Sequence, residues 1–533
     1  MKRNNFLDGA IIASAAIIIT KVLGLLYVIP FYSIIGEQGG ALYGYAYNIY
    51  NIFLVISSAG IPLAISKITS EYEALNMQKE KKFMISYSKK IIWIFSMFSF
   101  LICFLGSDAI ANIIIGDITG GNTISDVSFA IKFVSFALLF VPILGVLRGY
   151  LQGHKYIAVA SLSQVIEQTA RIIVIIFGTL IAIKVFHLKM AYAIGVALTG
   201  AAIGAIIAYI YLYIKSKKIK KIKDNTKLSI KEKKDIKKKV FLYAIPFIAV
   251  NLSYHIYNSI DMVLIIKTLD YLNYSATDIE AISSIFTTWG SKLISIVTAV
   301  ATGLIISLIP NMVSSYVKKD IKEVNKIYQK TFEILLMIIL PISCFLSIHS
   351  DAVWTVFYGQ SHYGPIVFRY LSLLGFFYSI YLIFGSITQN LNKIKLIYLT
   401  ILIGLGLNTL LDVPLMLLFN YIGIYPFYGA ITATIIGYVG SLSLVMYKLN
   451  KEDNIKFNFS LIKNNLYKTL LILIPFNILI SFINNYIDNR IYLLISLSIM
   501  GLISGIIYLF INNDFIETVI NKNILKKLRI KKE

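Results

Sequence analysis

GAIIASAAIIITKVLGLLYVIPFYSII, residues 9–35, is an almost wholly apolar stretch with one lysine, Lys21, near its middle. A run of about 20 apolar residues is long enough to cross the hydrocarbon core of a bilayer as a helix. An ammonium group at that depth costs about 3 kcal/mol or more, so it is expected to face other protein or a water-filled cavity. Two interpretations stay open: Lys21 reaches the membrane surface along its own stem, or it is a cationic point that receives an anion.

The composition of the whole chain is that of an all-α polytopic membrane protein. Its 533 residues are 57% hydrophobic and 14% charged, whereas soluble domains are about 25% charged. No cleavage site follows the first residues, so we expect the first apolar helix to stay in the membrane. We predict fourteen spans: 9–35, 43–66, 91–115, 127–151, 157–184, 190–214, 240–266, 283–312, 331–349, 366–390, 395–419, 425–447, 466–486 and 490–512.

The chain has a net charge of +23, and the positions of the basic residues indicate a membrane protein rather than a protein that binds nucleic acid. Most of the 50 Lys and Arg residues lie in alternate connections and tails, which places those segments and both termini in the cytoplasm. The most basic connection, residues 215–239, carries thirteen lysines. It is either a solvated linker or a segment that contacts anionic lipid headgroups. We expect no nucleic-acid partner, no cofactor and no metal site.

Weak internal similarity predicts two six-helix lobes of the same orientation. AGIPLAISK (59–67) resembles SLIPNMVSS (307–315), and LRGYLQGHKYIAVASL (147–162) resembles IFGSITQNLNKIKLIYL (383–399). The predicted organisation is an N-terminal lobe (1–214), a basic linker (215–239), a C-terminal lobe (240–449), two further helices (450–512) and a basic tail (513–533).

Two lysines are the first candidates for a functional site. Lys21 lies in the first predicted span and Lys292 in the eighth, so each predicted lobe carries one. Together they predict a diphosphate-binding site in a central cavity. In the alternative interpretation each lysine pairs with a buried acid, for which Asp261 and Glu37 are available.

Two arginines lie near the ends of the fourth and fifth predicted spans. Glu167 precedes Arg171 by four residues, so the two share a helical face and are predicted to pair. With Arg148, they are expected to brace two helices, and a supporting role in substrate binding is the other interpretation. The tyrosines at the start of the second span predict an aromatic belt at the membrane surface, or alternatively a contact with sugar.

Six segments carry a resemblance to a known protein family. In chain order they are TKVLGLLYVIPF (20–31), GGALYGYAYNIYNIFL (39–54), GIPLAISK (60–67), VPILGVLRGYLQGHKYIA (141–158), SQVIEQTARII (163–173) and GLIISLIP (303–310). The chain resembles lipid II flippases of the MurJ type. Within them it resembles the Gram-positive branch that includes relatives of stage V sporulation protein B. These proteins belong to the multidrug/oligosaccharidyl-lipid/polysaccharide exporter superfamily.

The resemblance implies fourteen helices, two lobes and a central cationic cavity in the bacterial plasma membrane. It also implies export of a polyprenyl-diphosphate-linked glycan by rocking between inward-open and outward-open states. Lys21 and Lys292 fall at basic positions of helices 1 and 8. An Arg-Asp pair of Gram-negative members is replaced here by Tyr27 and Val28. The last two helices are expected to form a groove for the lipid tail, and cell-wall synthesis enzymes are candidate partners.

Other functions are kept as alternatives. A flippase for another lipid-linked polysaccharide has the same fold, and only the substrate separates it. A multidrug antiporter is expected to bury acids rather than cations. A glycan transferase is expected to have a long extracytoplasmic loop, and no predicted connection exceeds about 25 residues. The chain has no Gly-Lys dipeptide, so we expect no Walker A site and no enzymatic activity.

Overall fold

A computed structural model describes residues 6–58, 60–116, 121–217, 228–298, 301, 320–391, 393–453, 460–484, 487 and 489–512. These residues form helices joined by short connections, and they contain no β-strand. The all-α fold is therefore confirmed. The basic tail 513–533, the repeat segment 307–315 and GLIISLIP (303–310) lie outside the described residues.

The chain divides into two compact units. One comprises Met1–Leu293 with Asn392–Ser441, and the other comprises Ile294–Leu391 with Leu442–Glu533. The helices up to the second half of the eighth predicted span are α1 (Phe6–Leu26), α2 (Val28–Ser58), α3 (Ile61–Ala74), α4 (Gln78–Leu105), α5 (Ser107–Ile115), α6 (Ile124–Ser135), α7 (Ala137–Gly153), α8 (Ile157–Ile173), α9 (Thr179–Lys184), α10 (Met190–Ser216), α11 (Ile230–Tyr271), α12 (Ala276–Ser284) and α13 (290–298).

The later helices are α14 (Ile321–Ile334), α15 (Leu340–Ile348), α16 (Ser350–Tyr358), α17 (Gly364–Asn390), α18 (Ile394–Tyr421), α19 (Phe427–Asp453), α20 (Ser460–Asn484) and α21 (Arg490–Ile511). Three π-helical turns connect consecutive helices: Val174–Gly178, Ile285–Trp289 and Leu335–Ile339. Such turns insert one extra residue and often occur at functional sites.

Nine helices in the described part of the chain are long and apolar enough to cross a membrane, and ten if the bent pair α1–α2 is counted as one span. The chain is a multi-pass membrane protein. Each of the fourteen predicted spans overlaps a helix, but the count of fourteen stays a prediction. The division into two lobes and two added helices also stays a prediction.

The first predicted span bends at Tyr27, between α1 and α2, by 44°. Pro30 explains the bend, because it has no backbone N–H for the carbonyl of Leu26 and its ring clashes with that turn. The flanking bonds persist: the Tyr27 N–H donates to Leu23 O at 3.3 Å, and the Phe31 N–H donates to Tyr27 O at 3.1 Å. The helix then turns at Gly36, whose φ of 64° is readily adopted only by glycine.

Helix α3 packs closely on α7 through glycines spaced four residues apart: Gly145, Gly149 and Gly153. A Cβ on Gly149 would lie 3.0 Å from the Pro62 Cα and would clash with the Pro62 carbonyl oxygen. The Ser70 hydroxyl donates to the Gly153 carbonyl at 3.0 Å. This pattern of small residues allows the two backbones to approach each other, as is common between membrane helices.

Replacing Gly149 with Ala is expected to destabilise the protein by roughly 2 kcal/mol. The added methyl group would clash with the backbone of Pro62, which can move away only if the whole of α3 shifts. Thermal unfolding of the purified protein measures the change. Gly406→Ala in α18 is the matched control, since a Cβ there meets nothing within 4 Å and alanine favours a helix by about 1 kcal/mol over glycine. Equal stability of the two variants would contradict the packing of α3 on α7.

Candidate functional site

Lys292 lies in α13, just after the π-helical turn Ile285–Trp289, and its side chain is half-buried. Its ammonium nitrogen is 5.6 Å from the ring centroid of Tyr27. Arg171 is close enough for its charge to interact with that of Lys292. The structure thus brings two predicted site residues together inside the first compact unit.

Arg171 is held by groups from its own helix and from α2. Its Nη1 donates to the Tyr47 hydroxyl at 3.2 Å, and its Nη2 donates to Glu167 Oε1 at 2.7 Å. Tyr47 stacks on Tyr43, with ring centroids 5.4 Å apart and an interplanar angle of 13°. The predicted pair of Glu167 with Arg171 is confirmed.

Glu167 also binds Arg148, so that one carboxylate serves two arginines. Arg148 Nη1 lies 2.8 Å from Glu167 Oε2, and Arg148 Nε donates to the Ser163 hydroxyl at 2.8 Å. These contacts tie α7 to α8, as expected for a brace. The three side chains carry a net charge of about +1, since two guanidiniums share one carboxylate. Among the described residues, Arg148 Nη2 and Arg171 Nε are buried with no hydrogen-bond partner.

Lys21 lies on α1, and its side chain is also half-buried. Helix α1 packs on α8 near Gly24, where a Cβ would lie 3.5 Å from Gln168 Nε2. The structure therefore places Lys21 on a helix that packs against the one carrying Glu167 and Arg171. The shared cavity for Lys21 and Lys292 stays a prediction.

Asp261 is buried in α11 and binds polar side chains rather than a lysine. Asn408 Nδ2 donates to Asp261 Oδ1 at 2.9 Å, and the Thr434 hydroxyl donates to Asp261 Oδ2 at 2.8 Å. Asp412 in α18 is fully buried, and its charge interacts with that of Asp261. Within the described ranges, neither oxygen of Asp412 has a hydrogen-bond partner, and the Asn408 Oδ1 has none.

Asp412 was not recognised from the sequence, although a midspan acid in LDVP (411–414) is a visible signal. Its partner is 151 residues away in the chain, so spacing alone does not connect the two acids. In the part of the chain that the structure describes, no group of three or more His, Cys, Asp or Glu side chains is arranged to hold a metal ion.

The prediction of an aromatic belt in α2 is wrong. Tyr43, Tyr45 and Tyr50 are 4%, 1% and 1% exposed, so they are buried among helices rather than at the bilayer surface. The sequence suggested a belt because tyrosines cluster near a predicted span end. It contained no signal for the neighbouring helices that cover them.

Small residues of α2 also pack against the side chains of the π-helical turn Ile285–Trp289. A Cβ on Gly40 would clash with the Trp289 ring, and the Thr288 hydroxyl donates to Gly40 O at 3.0 Å. Nearby, the Asn122 N–H donates to Glu280 Oε1. Burial raises the pKa of the Glu280 carboxyl, although hydrogen bonds from Asn122 and Gln38 act in the opposite direction. These contacts join segments of both predicted lobes within one compact unit.

Comparison with known proteins finds one matching family model and relatives in Bacillus subtilis. The family model described as "Polysaccharide biosynthesis protein" matches residues 6–308. The lipid II flippase MurJ of Bacillus subtilis strain 168 is 28% identical over 530 residues, which cover 95% of this chain and 95% of that protein. Stage V sporulation protein B of the same organism is 27% identical over 236 residues, 44% of each chain.

Solved structures show the same fold. The lipid II flippase MurJ in an inward closed conformation matches with a TM-score of 0.67 and 18% identity, covering 96% of this chain and 100% of that one. An inward-facing multidrug resistance transporter of the MATE family matches with a TM-score of 0.63 and 13% identity, covering 84% and 98%.

Proposed function

The chain belongs to the polysaccharide biosynthesis protein family, and on that premise we propose that it is a flippase for a polyprenyl-diphosphate-linked cell-wall precursor. The proposed substrate is lipid II, moved from the inner to the outer leaflet by alternating access. The similarity to MurJ of Bacillus subtilis over 95% of both chains supports this choice. The protein acts as a transporter and not as an enzyme.

The observation that carries the proposal is that two cations, Lys292 at the Tyr27 ring and Arg171 at the Tyr47 hydroxyl, lie inside the helix bundle within range of each other's charge. Two cations in a bundle that has to exclude lipid are costly unless they have a ligand or a counter-charge. Glu167 is shared between Arg171 and Arg148, so one carboxylate serves two guanidiniums. A diphosphate carries several negative charges, and ammonium and guanidinium groups are the donors that bind phosphate oxygens well.

In the proposed mechanism, the diphosphate enters the inward-open state and binds Lys292, with Lys21 as a second cation from α1. Its charge cancels the repulsion between the buried cations. The helices that carry them then close around the headgroup, and reopening on the other side releases it. A ligand shifts such an equilibrium only by binding one state better than the other, and the cation cluster supplies that difference.

Part of the prenyl tail is proposed to lie in the cavity lined by the last two helices, while the rest stays in lipid. Within the second compact unit, an apolar cavity of about 360 Å³ is lined by α15, α20 and α21 and the residues that precede α15. At its polar edge, Asn477 Oδ1 binds His349 Nε2 and the Ser504 hydroxyl, both at 3.0 Å. This volume is in the range of pockets that hold a small apolar ligand.

A flippase for another lipid-linked polysaccharide unit is the alternative, favoured by the family description and by the similarity to stage V sporulation protein B. Reconstitution in vesicles separates the two: labelled lipid II that becomes accessible at the opposite leaflet supports the first proposal. A multidrug antiporter is a weaker alternative that shares the fold. Transport of cationic drugs without lipid II flipping would support it.

Asp261 and Asp412 are proposed to couple transport to a proton or a monovalent cation. Two buried carboxylates near each other cannot both stay ionised without a bound counter-charge. The unpartnered oxygens of Asp412 and Asn408 are acceptors that such a cation requires. A mutation that removes one acid should therefore change the driving force rather than substrate binding.

Asp412→Asn is expected to reduce flipping driven by an imposed ion gradient by about tenfold, because only one of the two carboxylates is then left to bind the proton or cation. Flipping in vesicles is measured with and without the gradient. Asp270→Asn, at an exposed acid near the end of α11, is the control and should retain the dependence. Full gradient dependence in Asp412→Asn would show that these acids serve only the packing of α11 and α18.

The proposed location is the bacterial plasma membrane, with both termini in the cytoplasm. Anionic lipids are proposed partners of the basic helix ends on that side. Lys215 and Lys217 lie 5.7 and 4.8 Å from the ring centroids of Tyr211 and Tyr213, four residues earlier in α10. Tyrosine and lysine together are typical of the headgroup region. Cell-wall synthesis enzymes remain candidate partners on the evidence of the proposed substrate alone.

A further inference from the structure

We propose that His154, together with Lys81 and Glu73, forms a proton-binding site through which acid on its side of the membrane reduces transport. The three side chains come from the end of α7, from α4 and from α3, all within the first compact unit. Lys81 and His154 are 2% and 3% exposed, so the site is a buried cluster of titratable groups. It shares no residue with the proposed diphosphate site, and it does not depend on which lipid is transported.

The close packing of α3 on α7 places His154 beside the end of α3. The Ser70 hydroxyl donates to the carbonyl of Gly153, the residue before His154, at 3.0 Å. Glu73 follows Ser70 by three residues, so it lies one helical turn closer to the end of α3. Lys81 lies near the start of α4, which begins after a short connection. Three helix ends therefore meet at this cluster.

The contacts of the His154 ring define which of its nitrogens carries a hydrogen. Nδ1 lies 2.9 Å from the Tyr150 carbonyl oxygen, which can only accept, so the Nδ1–H group is the donor. Nε2 lies 3.2 Å from the Lys81 ammonium, which can only donate, so Nε2 is the acceptor. The two contacts together are possible only for the neutral ring.

Glu73 balances the charge of the cluster. Lys81 Nζ lies 2.5 Å from Glu73 Oε2, so one carboxylate pairs with one ammonium. Gln78 Nε2 donates to the same oxygen at 3.5 Å. A proton on His154 Nε2 would point at the Lys81 ammonium and would leave two cations with one carboxylate in a buried site. Because an unbalanced buried charge is costly, a protonated His154 and Lys81 cannot both keep their places.

The other titratable groups around the ring do not remove this conflict. Glu73 Oε2 lies 3.6 Å from His154 Nε2, so it pairs with a protonated ring only by giving up contact with Lys81. The Tyr150 ring meets His154 edge-on, with centroids 4.3 Å apart, and a phenol is uncharged near neutral pH. Lys155, the next residue in the chain, adds a positive charge. Proton binding therefore makes His154 and Lys81 compete for one carboxylate.

Loss of the cluster releases the end of α3, which also holds α11. Glu71 pairs with Lys239 of α11 at 2.5 Å, and the Lys239 ammonium lies 5.2 Å from the ring centroid of Tyr72. Residues 71–73 thus connect α3 to α11 on one side and to α4 and α7 on the other. Helix α11 includes the first span of the predicted C-terminal lobe. Proton binding at His154 therefore weakens the connection between helices that have to move together during transport.

The test measures lipid II flipping by the purified full chain in vesicles at about pH 7.5 and about pH 5.5 on both sides, which bracket the range in which histidine titrates. The unmodified chain is expected to flip about tenfold more slowly at the lower pH, the effect of one group titrating over one pH unit. His154→Gln keeps an acceptor for Lys81 but takes no proton, so its flipping should change by less than about twofold. His362→Gln is the matched control, since this histidine is exposed, and it should retain the full loss.

Thermal unfolding of the same preparations gives a readout that does not depend on the substrate. The unfolded chain binds a proton at His154 that the folded cluster excludes, so stability falls as the pH falls. The unfolding temperature of the unmodified chain should therefore decrease more on acidification than that of His154→Gln. Lys81→Met provides a second test, also if His154→Gln does not fold. Without the ammonium, a protonated His154 pairs with Glu73, so acid should lower the unfolding temperature of this variant less than that of the unmodified chain.

The outcomes separate the proton site from the proposed function. If the unmodified chain does not flip lipid II, the proposed function fails, and the unfolding temperatures alone decide whether the proton site exists. If His154→Gln loses as much flipping on acidification as the unmodified chain, the site does not regulate transport and this proposal is overturned, while the proposed function stands. Equal pH dependence of the unfolding temperature in the unmodified chain, His154→Gln and Lys81→Met would overturn the proton site itself.

Discussion

Lys292→Ala is expected to abolish flipping while the protein remains folded in the membrane. The ammonium is one of the cations of the proposed diphosphate site and lies 5.6 Å from the ring centroid of Tyr27. Removing one partner of a buried charged contact costs about 2–5 kcal/mol, so a loss of about 100-fold in flipping is expected. The fold is expected to survive, because alanine favours a helix and the substitution removes a half-buried charge.

Lipid II exposed at the outer leaflet and thermal unfolding of the same preparation are the two measurements. Lys267→Ala is the matched control, since this lysine of α11 is exposed. Lys21→Ala is expected to lose flipping as well, as the cation of α1. Flipping at the unmodified rate in both Lys21→Ala and Lys292→Ala would remove the cationic site from the mechanism.

Glu167→Gln is expected to destabilise the protein more than any other single change proposed for this site. The carboxylate lies 2.7 Å from Arg171 Nη2 and 2.8 Å from Arg148 Nη1. The neutral amide leaves two buried guanidiniums facing each other without a counter-charge. Breaking a buried ion pair in this way costs about 3 kcal/mol or more, and a large fall in unfolding temperature and in yield is expected.

Two further variants make this test specific. Glu167→Gln combined with Arg148→Gln should recover part of the stability, because only one guanidinium is then unpaired. Glu323→Gln removes an exposed carboxylate that lies 3.6 Å from Lys326, and it should change stability by less than about 1 kcal/mol. A Glu167→Gln protein as stable as Glu323→Gln would contradict the brace and would leave Glu167 a role only in substrate binding.

Much of the fold was predictable because membrane helices have a simple signal. Twenty apolar residues in a row identify a span, whatever its neighbours are. The pair Glu167–Arg171 was predictable for the same reason, since a spacing of four residues places both side chains on one helical face.

The remainder of the site depends on contacts between distant parts of the chain. Tyr27 is 265 residues from Lys292, and Tyr47 is 124 residues from Arg171. No periodicity connects such positions, so the sequence predicted an aromatic belt or a sugar contact for Tyr47 and its neighbours in α2, and no contact with Lys292 for Tyr27. Asp412 is a similar case, because the role proposed for it depends on the nearby acid Asp261 in α11, which is distant in the sequence. A rule that treats every midspan acid as a candidate would have found Asp412, but not its partner.

The most direct test of the central claim is the exposure of lipid II in cells depleted of their own lipid II flippase. Expression of this chain is predicted to restore lipid II on the outer leaflet, and Lys292→Ala, expressed to the same level, is predicted not to restore it. Good expression of the unmodified chain in the membrane with no lipid II exposed would contradict the account.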